Sequence, residues 1–600
     1  MTFRVSKPVL TFLLLGTVAP PGSQAFQNGN TPPRPPPQPI QSTETETETA
    51  VAAATEPPMP FKWPIVGTLP DFMSRGGVDA MASVHESMYN EFGPVYKMSL
   101  MGDDEMVFSD PRVFDQILRK EGKYPIGAAE TVTNFKDYYV ENEMEFAVTV
   151  HGRGPEWKAL RKTMDLDMFV LWETYLPVIA DTCAKISRVA GREVTEEKNL
   201  HIQTFLSRAA FDMFHSVMYG ESAETTDTRR ATEEDIEFVR VTKRAFDITG
   251  NLMTNPLEKI FGGELYREFV EMMDAVVGLA EDRGTRSVRA AQDTMARHEA
   301  ATASLGDITA AGESESDTGS GASGCPVSAI QNTLTGGDTT EKKKKSDGRG
   351  AAVPTEFRNP SFIERLVHRG SLAPEAISEL QGPLLMAGVD TTAYALNWFF
   401  LNMASNPGVQ KKLAEELSEK LGGADLTTAE QMESLTYLEA CFRESHRLTP
   451  PAPLIVKKLA EPVTVVSGGR SYRVPAEQRV SLNLRGLPMD PRLVEDPGSF
   501  RPERFSEEAV AARRGTEAGL ALDHPCFRDP FGRGKRMCMG ANVARAEMAV
   551  LAARLVQDWE ISLEDPGEAV HSPTKTWSTK QKLMLIADPY PAMTLTPRNK

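Results

Sequence analysis

The sequence predicts a mainly α fold with a small β region. Three observations carry that expectation. Most of residues 155–285 place apolar side chains at helical spacing, giving a series of amphipathic helices. An apolar run over 395–403 follows Ala387-Gly388-Val389-Asp390-Thr391-Thr392 and reads with it as a buried helix. Residues 95–108 and 453–480 instead show the alternation of short paired strands.

Six hundred residues exceed one ordinary domain, and the excess is easy to locate. Residues 1–55 read as a targeting segment and a linker. Arg4 and Lys7 precede the apolar run 9–19, which is too short to span a bilayer comfortably. Gly22-Ser23-Gln24-Ala25 follows, then a proline-rich tract (31–39) and a Thr/Glu repeat (43–49), together a stiff, solvated linker. A second low-complexity stretch, 300–353, is rich in Gly, Ser, Thr and Asp and carries Lys342 to Lys345. It has too few large apolar side chains to offset its ordering entropy, and reads as a disordered insertion. Residues 56–600, less that insertion, make one domain of normal size.

Within that domain each element has its own signal. Trp157 and Arg161 stand one turn apart on the first amphipathic stretch. Pro383 lies four residues before Ala387. A proline inside a helix removes a backbone bond and costs roughly 3 kcal/mol, so the helix carrying 387–403 is expected to start late or kink there. The helical pattern 435–448 sets Glu444 and Arg447 at i, i+3 on one face, where carboxylate and guanidinium make a charge-assisted contact. Downstream comes Pro502-Glu503-Arg504-Phe505. The stretch Pro530-Phe531-Gly532-Arg533-Gly534-Lys535-Arg536-Met537-Cys538-Met539-Gly540 then places one cysteine in a glycine-rich turn before a helix-forming run, 541–555. Gly532, Gly534 and Gly540 permit positive φ and close approach to a flat ligand. A sulfur near a helix N-terminus, beside Lys535 and Arg536, is biased toward thiolate, the form that binds metal.

That loop resembles the haem-binding loop of cytochromes P450, whose cysteine thiolate is the axial iron ligand. The resemblance implies the P450 fold, with haem b (iron protoporphyrin IX) held on Cys538 and contacted by Phe531 and Arg536. Trp157 and Arg161 are similar to the pair on the family's helix C that reaches a haem propionate, and Arg536 is a second propionate partner. Lys457, ten residues after Arg447, stands where many relatives carry a propionate-binding arginine; a lysine lacks the planar fork that makes arginine bidentate. Glu444, Arg447 and Arg504 resemble the family's structural triad, which holds the segment leading to the cysteine. Residues 387–392 resemble helix I across the distal face. By that likeness Gly388 leaves room for dioxygen, while Asp390 and Thr391 deliver protons for O–O cleavage.

The implied function is a haem-dependent monooxygenase. It inserts one atom of O2 into a lipophilic small molecule such as a sterol or other lipid, using electrons from a redox partner. Residues 92–96, 121–125 and 387–398 look like the mitochondrial-type branch, which takes electrons from a ferredoxin; a reductase is the alternative donor. Ala541 and Asn542 replace the basic pair many relatives use for docking, leaving Arg545, Lys535, Arg536 and Arg443 for an acidic partner. Two rival readings are a P450-fold isomerase or dehydratase of lipid hydroperoxides and a non-catalytic haem-binding protein. Peripheral membrane association is expected. The resemblance favours a mitochondrial location, whereas 9–25 reads like a secretory h-region and Ser23-Gln24-Ala25-Phe26 resembles a plastid-signal cleavage site, so plastid and endoplasmic reticulum stay open.

Composition narrows the remaining classes. A net charge of −17 argues against nucleic acid, whose binding relies on clustered positive charge. Five scattered cysteines show neither a paired framework nor zinc spacing. By the resemblance, substrate choice is assigned to the loop between helices B and C, the F–G region around 236–275 and the strand after Lys458; Phe246, Leu252, Met253, Leu257 and Phe261 imply only a lipophilic ligand.

Overall fold

The computed structural model describes residues 54–100, 102–126, 133–144, 152–252, 255–312, 360–565, 579–581, 584–587 and 589–598. The targeting segment and linker expected at 1–55 therefore lie outside the described residues except for the last two. So does 313–353 of the insertion. Residues 300–312, expected to be disordered, continue a helix instead; five of the thirteen are alanine, the residue most at home in a helix.

The helices follow the apolar spacing. They include α1 (Met81–Phe92), α2 (Pro111–Arg119), α3 (Pro155–Asp165), α4 (Leu176–Ala190), α5 (Ile202–Tyr219), α6 (Glu233–Leu252), α7 (Pro256–Phe261) and α8 (Glu264–Gly312). Three more frame the site: α9 (Pro374–Ser405), α10 (Thr436–Leu448) and α11 (Ala541–Asp558).

The β region is small, as expected. β1 (Val95–Leu100) and β2 (Asp103–Phe108) form an antiparallel pair with Val95 opposite Phe108. β3 (Leu454–Lys458), β4 (Val463–Ser467), β5 (Arg470–Val474) and β6 (Arg479–Asn483) come from the second alternating stretch. The main sheet has the order β1-β2-β6-β3, so β6 runs parallel to β2 and antiparallel to β3. β4 and β5 close through Gly468 and Gly469, both at positive φ, as a tight hairpin requires. β7 (Trp559–Leu563), β8 (Thr579–Gln581), β9 (Leu585–Ala587) and β10 (Met593–Pro597) make two small pairs near the C-terminal end.

Helix α9 is the axis of the core, with Leu380, Leu385, Leu396, Phe399 and Leu401 fully buried. It does not start late: it runs from Pro374 through Pro383. The reason is packing. α9 crosses α8 closely, where a Cβ on Gly284 would fall 2.7 Å from Gln381 and one on Gly382 would touch Ala280 at 3.5 Å. Each leucine buried there contributes about 1.5–3 kcal/mol, so two or three offset the roughly 3 kcal/mol that an internal proline costs.

Candidate active site

Helix α9 on one side and the cysteine loop with α11 on the other enclose a cavity of about 360 Å³. Ala387, Gly388, Thr391 and Thr392 line the α9 wall, and Phe531, Cys538, Met539, Val543 and Glu547 the other. The rest of the lining is chiefly apolar, including Met168, Phe214 and Leu384. Cys538 is counted as exposed, and what it is exposed to is this cavity, because it sits deep among protein atoms. Burial pushes its thiol up from the ordinary value, while the backbone N–H of Gly540 and the guanidinium groups of Arg161 and Arg545 pull it down.

The loop is shaped by two glycines rather than three. Gly532 and Gly534 have φ of +73° and +83°, whereas Gly540 sits at −84° as the residue that caps α11. At Gly534 space adds to strain: a Cβ would lie 2.7 Å from Leu118 and 2.8 Å from the Glu121 carboxylate. The Cys538 N–H donates to the Phe531 carbonyl at 2.9 Å, closing the turn beneath the sulfur.

The basic residues singled out from the sequence gather around this loop. Arg161 donates to the Met537 carbonyl at 2.7 Å and pairs with Asp165 at 2.5 Å. Arg536 stacks 3.5 Å over the Trp157 ring and donates to the carbonyls of Pro125 and Gly152 at 2.9 and 2.5 Å. Lys457, on β3, donates to the Arg533 carbonyl at 3.0 Å and lies 3.5 Å from Glu121, both side chains being buried. Burial lowers the Lys457 pKa and Glu121 opposes that fall. Arg161 and Lys457 hold the backbone of the loop, Arg536 ties the loop to Pro125 and Gly152, and neither these three nor Trp157 line the cavity.

Glu444, Arg447 and Arg504 meet in one network. Arg447 makes a bidentate pair with Glu444 at 2.7 and 2.9 Å, and Arg504 reaches the same carboxylate at 3.1 Å. Side-chain exposures of 0, 4 and 8% show that this is a buried network, not a surface salt bridge. The two arginines also donate to the carbonyls of Pro488, Ser499, Glu495 and Asp496, tying α10 to the segment that leads into the loop.

Not every sequence expectation lands on the cavity wall. Thr391 does, with its hydroxyl donating to the Ala387 carbonyl at 2.7 Å. Asp390 is only 2% exposed and does not line the cavity. The space that Gly388 leaves is partly filled by Phe214, since a Cβ there would fall 2.9 Å from that ring. The docking arginines are already engaged: Arg545 pairs with Asp529 at 2.8 Å, and Arg443 lies against Asp523 and the Phe505 ring. Lys535, though exposed, donates to the Gly122 carbonyl. Three polar residues of the cavity wall were not assigned a role from sequence: Thr392, His446 and Glu547. The one available signal was Glu547, a carboxylate inside the apolar run of α11.

This donor set fits a haem. A bare ion held by protein alone needs three or four ligating side chains, and among the described residues no such group exists. A lone cysteine sulfur in an apolar cavity suits a metal whose other ligands come with it. The comparisons agree. The cytochrome P450 family model matches residues 57–317 and 338–591. The chain is 22% identical to the mitochondrial 1,25-dihydroxyvitamin D(3) 24-hydroxylase of Rattus norvegicus and 23% to that of Mus musculus, over 86% of each chain. It is 31% identical to ferruginol synthase of Salvia fruticosa over 36% of this chain and 42% of that one. With the family model covering most of its length and the cysteine loop facing the α9 cavity, the chain belongs to the cytochrome P450 family and is a haem monooxygenase.

Proposed function

We propose that this enzyme hydroxylates a sterol or related lipid, with Cys538 as the axial ligand of haem b. The observation that carries the reading is the cavity itself, which joins the Cys538 sulfur to the Thr391 wall through an apolar lining. Haem, when bound, supplies the iron on which dioxygen is activated, one oxygen atom entering the substrate and the other leaving as water. The protein's own contribution is orientation and proton handling. Phe531 lines the cavity with the sulfur, and Arg161, Lys457 and Arg536, the last stacked on Trp157, stand behind the loop as the positive edge that would meet the propionates. Thr391 is the hydroxyl that passes protons on the distal wall, with Asp390 behind it. Its bond to Ala387 is worth only about 1 kcal/mol net, so the Oγ–H leaves that carbonyl for a polar partner in the cavity. Glu444, Arg447 and Arg504 hold the segment that presents the loop.

The lipid reading rests on the apolar lining and on similarity, over 86% of the chain, to the 1,25-dihydroxyvitamin D(3) 24-hydroxylases. The mitochondrial location in those relatives' names supports a mitochondrial location here, and the ferredoxin-type electron donor rests on the mitochondrial-type sequence resemblance of residues 92–96, 121–125 and 387–398. Peripheral membrane association is supported by the exposed apolar side chains of Phe61, Trp63, Ile65, Ile260 and Phe261; among the described residues no helix is long and apolar enough to cross a membrane. The test is a substrate-binding spectral screen of sterols, fatty acids and carotenoids on purified protein. Hits are then turned over with ferredoxin under isotopically labelled dioxygen. One labelled atom in a lipid product is expected. Turnover of lipid hydroperoxides with no electron donor would instead favour an isomerase.

A further inference from the structure

We propose that Glu121 is a positioning residue of the cysteine loop: it fixes the turn at Gly534 and Lys535, offsets the Lys457 charge behind the haem site, and so sets how readily the iron is reduced. That role rests on the haem reading above and accounts for the Glu121-Gly122-Lys123-Tyr124-Pro125 motif, which the reading leaves without a task.

Helix α2 ends at Arg119, and the chain then runs beside residues 534–536 of the loop. The Glu121 carboxylate accepts the Lys535 backbone N–H through Oε1 at 2.7 Å. The carbonyl of Gly122, which sits at a φ of +74°, accepts from the Lys535 side chain. The Pro125 carbonyl accepts from Arg536 at 2.9 Å. Glu121 lies directly against the turn, since a Cβ on Gly534 would fall 2.8 Å from both of its carboxyl oxygens. Lys457 approaches from β3, donating to the Arg533 carbonyl at 3.0 Å and pairing with Oε2 of Glu121 at 3.5 Å. Carboxylate and ammonium thus bracket Gly534, each holding a peptide group on one side of it.

A hydrogen-bond acceptor alone would not need a charge here. Glutamine would take the same N–H, and a buried carboxylate is costly without a counter-charge. The Glu121 side chain is only 3% exposed, and its Oε2 has the Lys457 ion pair but no hydrogen bond among the described residues. What the carboxylate adds is therefore its charge, which makes the buried pair neutral. Buried charges are little screened by salt, so each acts on the site beyond the loop. Reduction adds an electron to the iron; a nearby anion opposes it and a nearby cation favours it.

The test is a redox titration, at neutral pH, of haem-loaded wild type, Glu121→Gln, Lys457→Met and the double variant. In Glu121→Gln the ferric–ferrous equilibrium should shift toward ferrous by on the order of tenfold, ~59 mV for one electron. In Lys457→Met it should shift the opposite way by a similar factor, and the double variant should return close to wild type. Glu121→Gln should also keep the red-shifted ferrous-carbonyl band, because glutamine still accepts the Lys535 N–H. Glu121→Ala, which removes that acceptor, should lose the band at a lower urea concentration than Glu121→Gln. Unmoved midpoints in both single variants, or shifts of the same sign, would overturn the proposal, since a merely structural residue gives no such opposition. Equal urea concentrations for Glu121→Ala and Glu121→Gln would overturn the hold on the loop. If Glu121→Gln fails to take up haem, Lys457→Met decides: a negative shift supports the pair, and none or a positive one sinks it. A normal wild-type carbonyl band with unmoved midpoints would remove this role alone, whereas a wild type without that band would remove the haem–thiolate reading beneath it.

Discussion

At the scale of single residues, the site depends on a few atoms whose surroundings leave little choice. Gly534 shows this most simply: its positive φ and the 2.7 Å approach of Leu118 both forbid a side chain. Gly534→Ala should therefore distort the cysteine loop and reduce haem incorporation, measured as haem per polypeptide, with normal loading as the contrary result. Thr391→Ala tests a different link. Neither haem nor substrate binding depends on that hydroxyl, so both should persist while reducing equivalents appear as hydrogen peroxide. Loss of a general acid–base group typically costs ~10²–10⁴-fold in rate. Wild-type product per electron would remove Thr391 from proton delivery. Residue identities were legible here because cysteine, glycine and threonine carry specific chemistry. Whether Asp390 or Glu547 faces the cavity was not, because one residue along a helix rotates a side chain by about 100° and sequence does not fix that phase against its neighbours.

At the scale of elements, the ion network on α10 does what a sheet or disulfide does elsewhere: it fixes the course of an irregular segment. Removing one partner of a buried pair leaves an uncompensated charge, costing on the order of 3–5 kcal/mol. Glu444→Ala should strand both Arg447 and Arg504, lower the free energy of urea unfolding by that amount and yield little haem-loaded protein. Normal stability in that variant would mean that the carbonyls of Pro488, Ser499, Glu495 and Asp496 satisfy the arginines without the carboxylate. The i, i+3 spacing on 435–448 and the alternation of 95–108 were readable because each pattern is local. The course of α9 was not. A rule about proline expects the helix to start late or kink at Pro383, and the close crossing with α8, from residues about a hundred positions earlier, offsets the proline's cost so that the helix already runs from Pro374.

At the scale of the molecule, buried ionisable groups set the response to acid. Burial holds His85 and His215 near a pKa of about 4, against an ordinary value of 6.5, since the charged imidazolium is poorly solvated there. Between those values the unfolded chain binds more protons than the folded one, so stability falls as pH is lowered. Asp212 works in the opposite sense, its carboxyl raised by burial to about 6 from 3.8. His446 adds a third imidazole that burial holds near 4, and the three histidines carry the loss. The urea midpoint should fall on acidification from 6.5 to 4, and a midpoint that rises would contradict the balance. The mainly helical fold was legible because apolar periodicity reports which faces are buried, whereas the meeting of α9, α11 and the loop is a long-range event that no local pattern records. That meeting brings the Cys538 sulfur to the cavity, and the assignment of Cys538 as iron ligand is the claim on which the rest depends. The most direct measurement is the ferrous-carbonyl spectrum of wild type beside Cys538→His. The wild type should give the red-shifted Soret band of a thiolate-ligated haem and the variant should lose it; a red-shifted band that survives in Cys538→His would contradict the account.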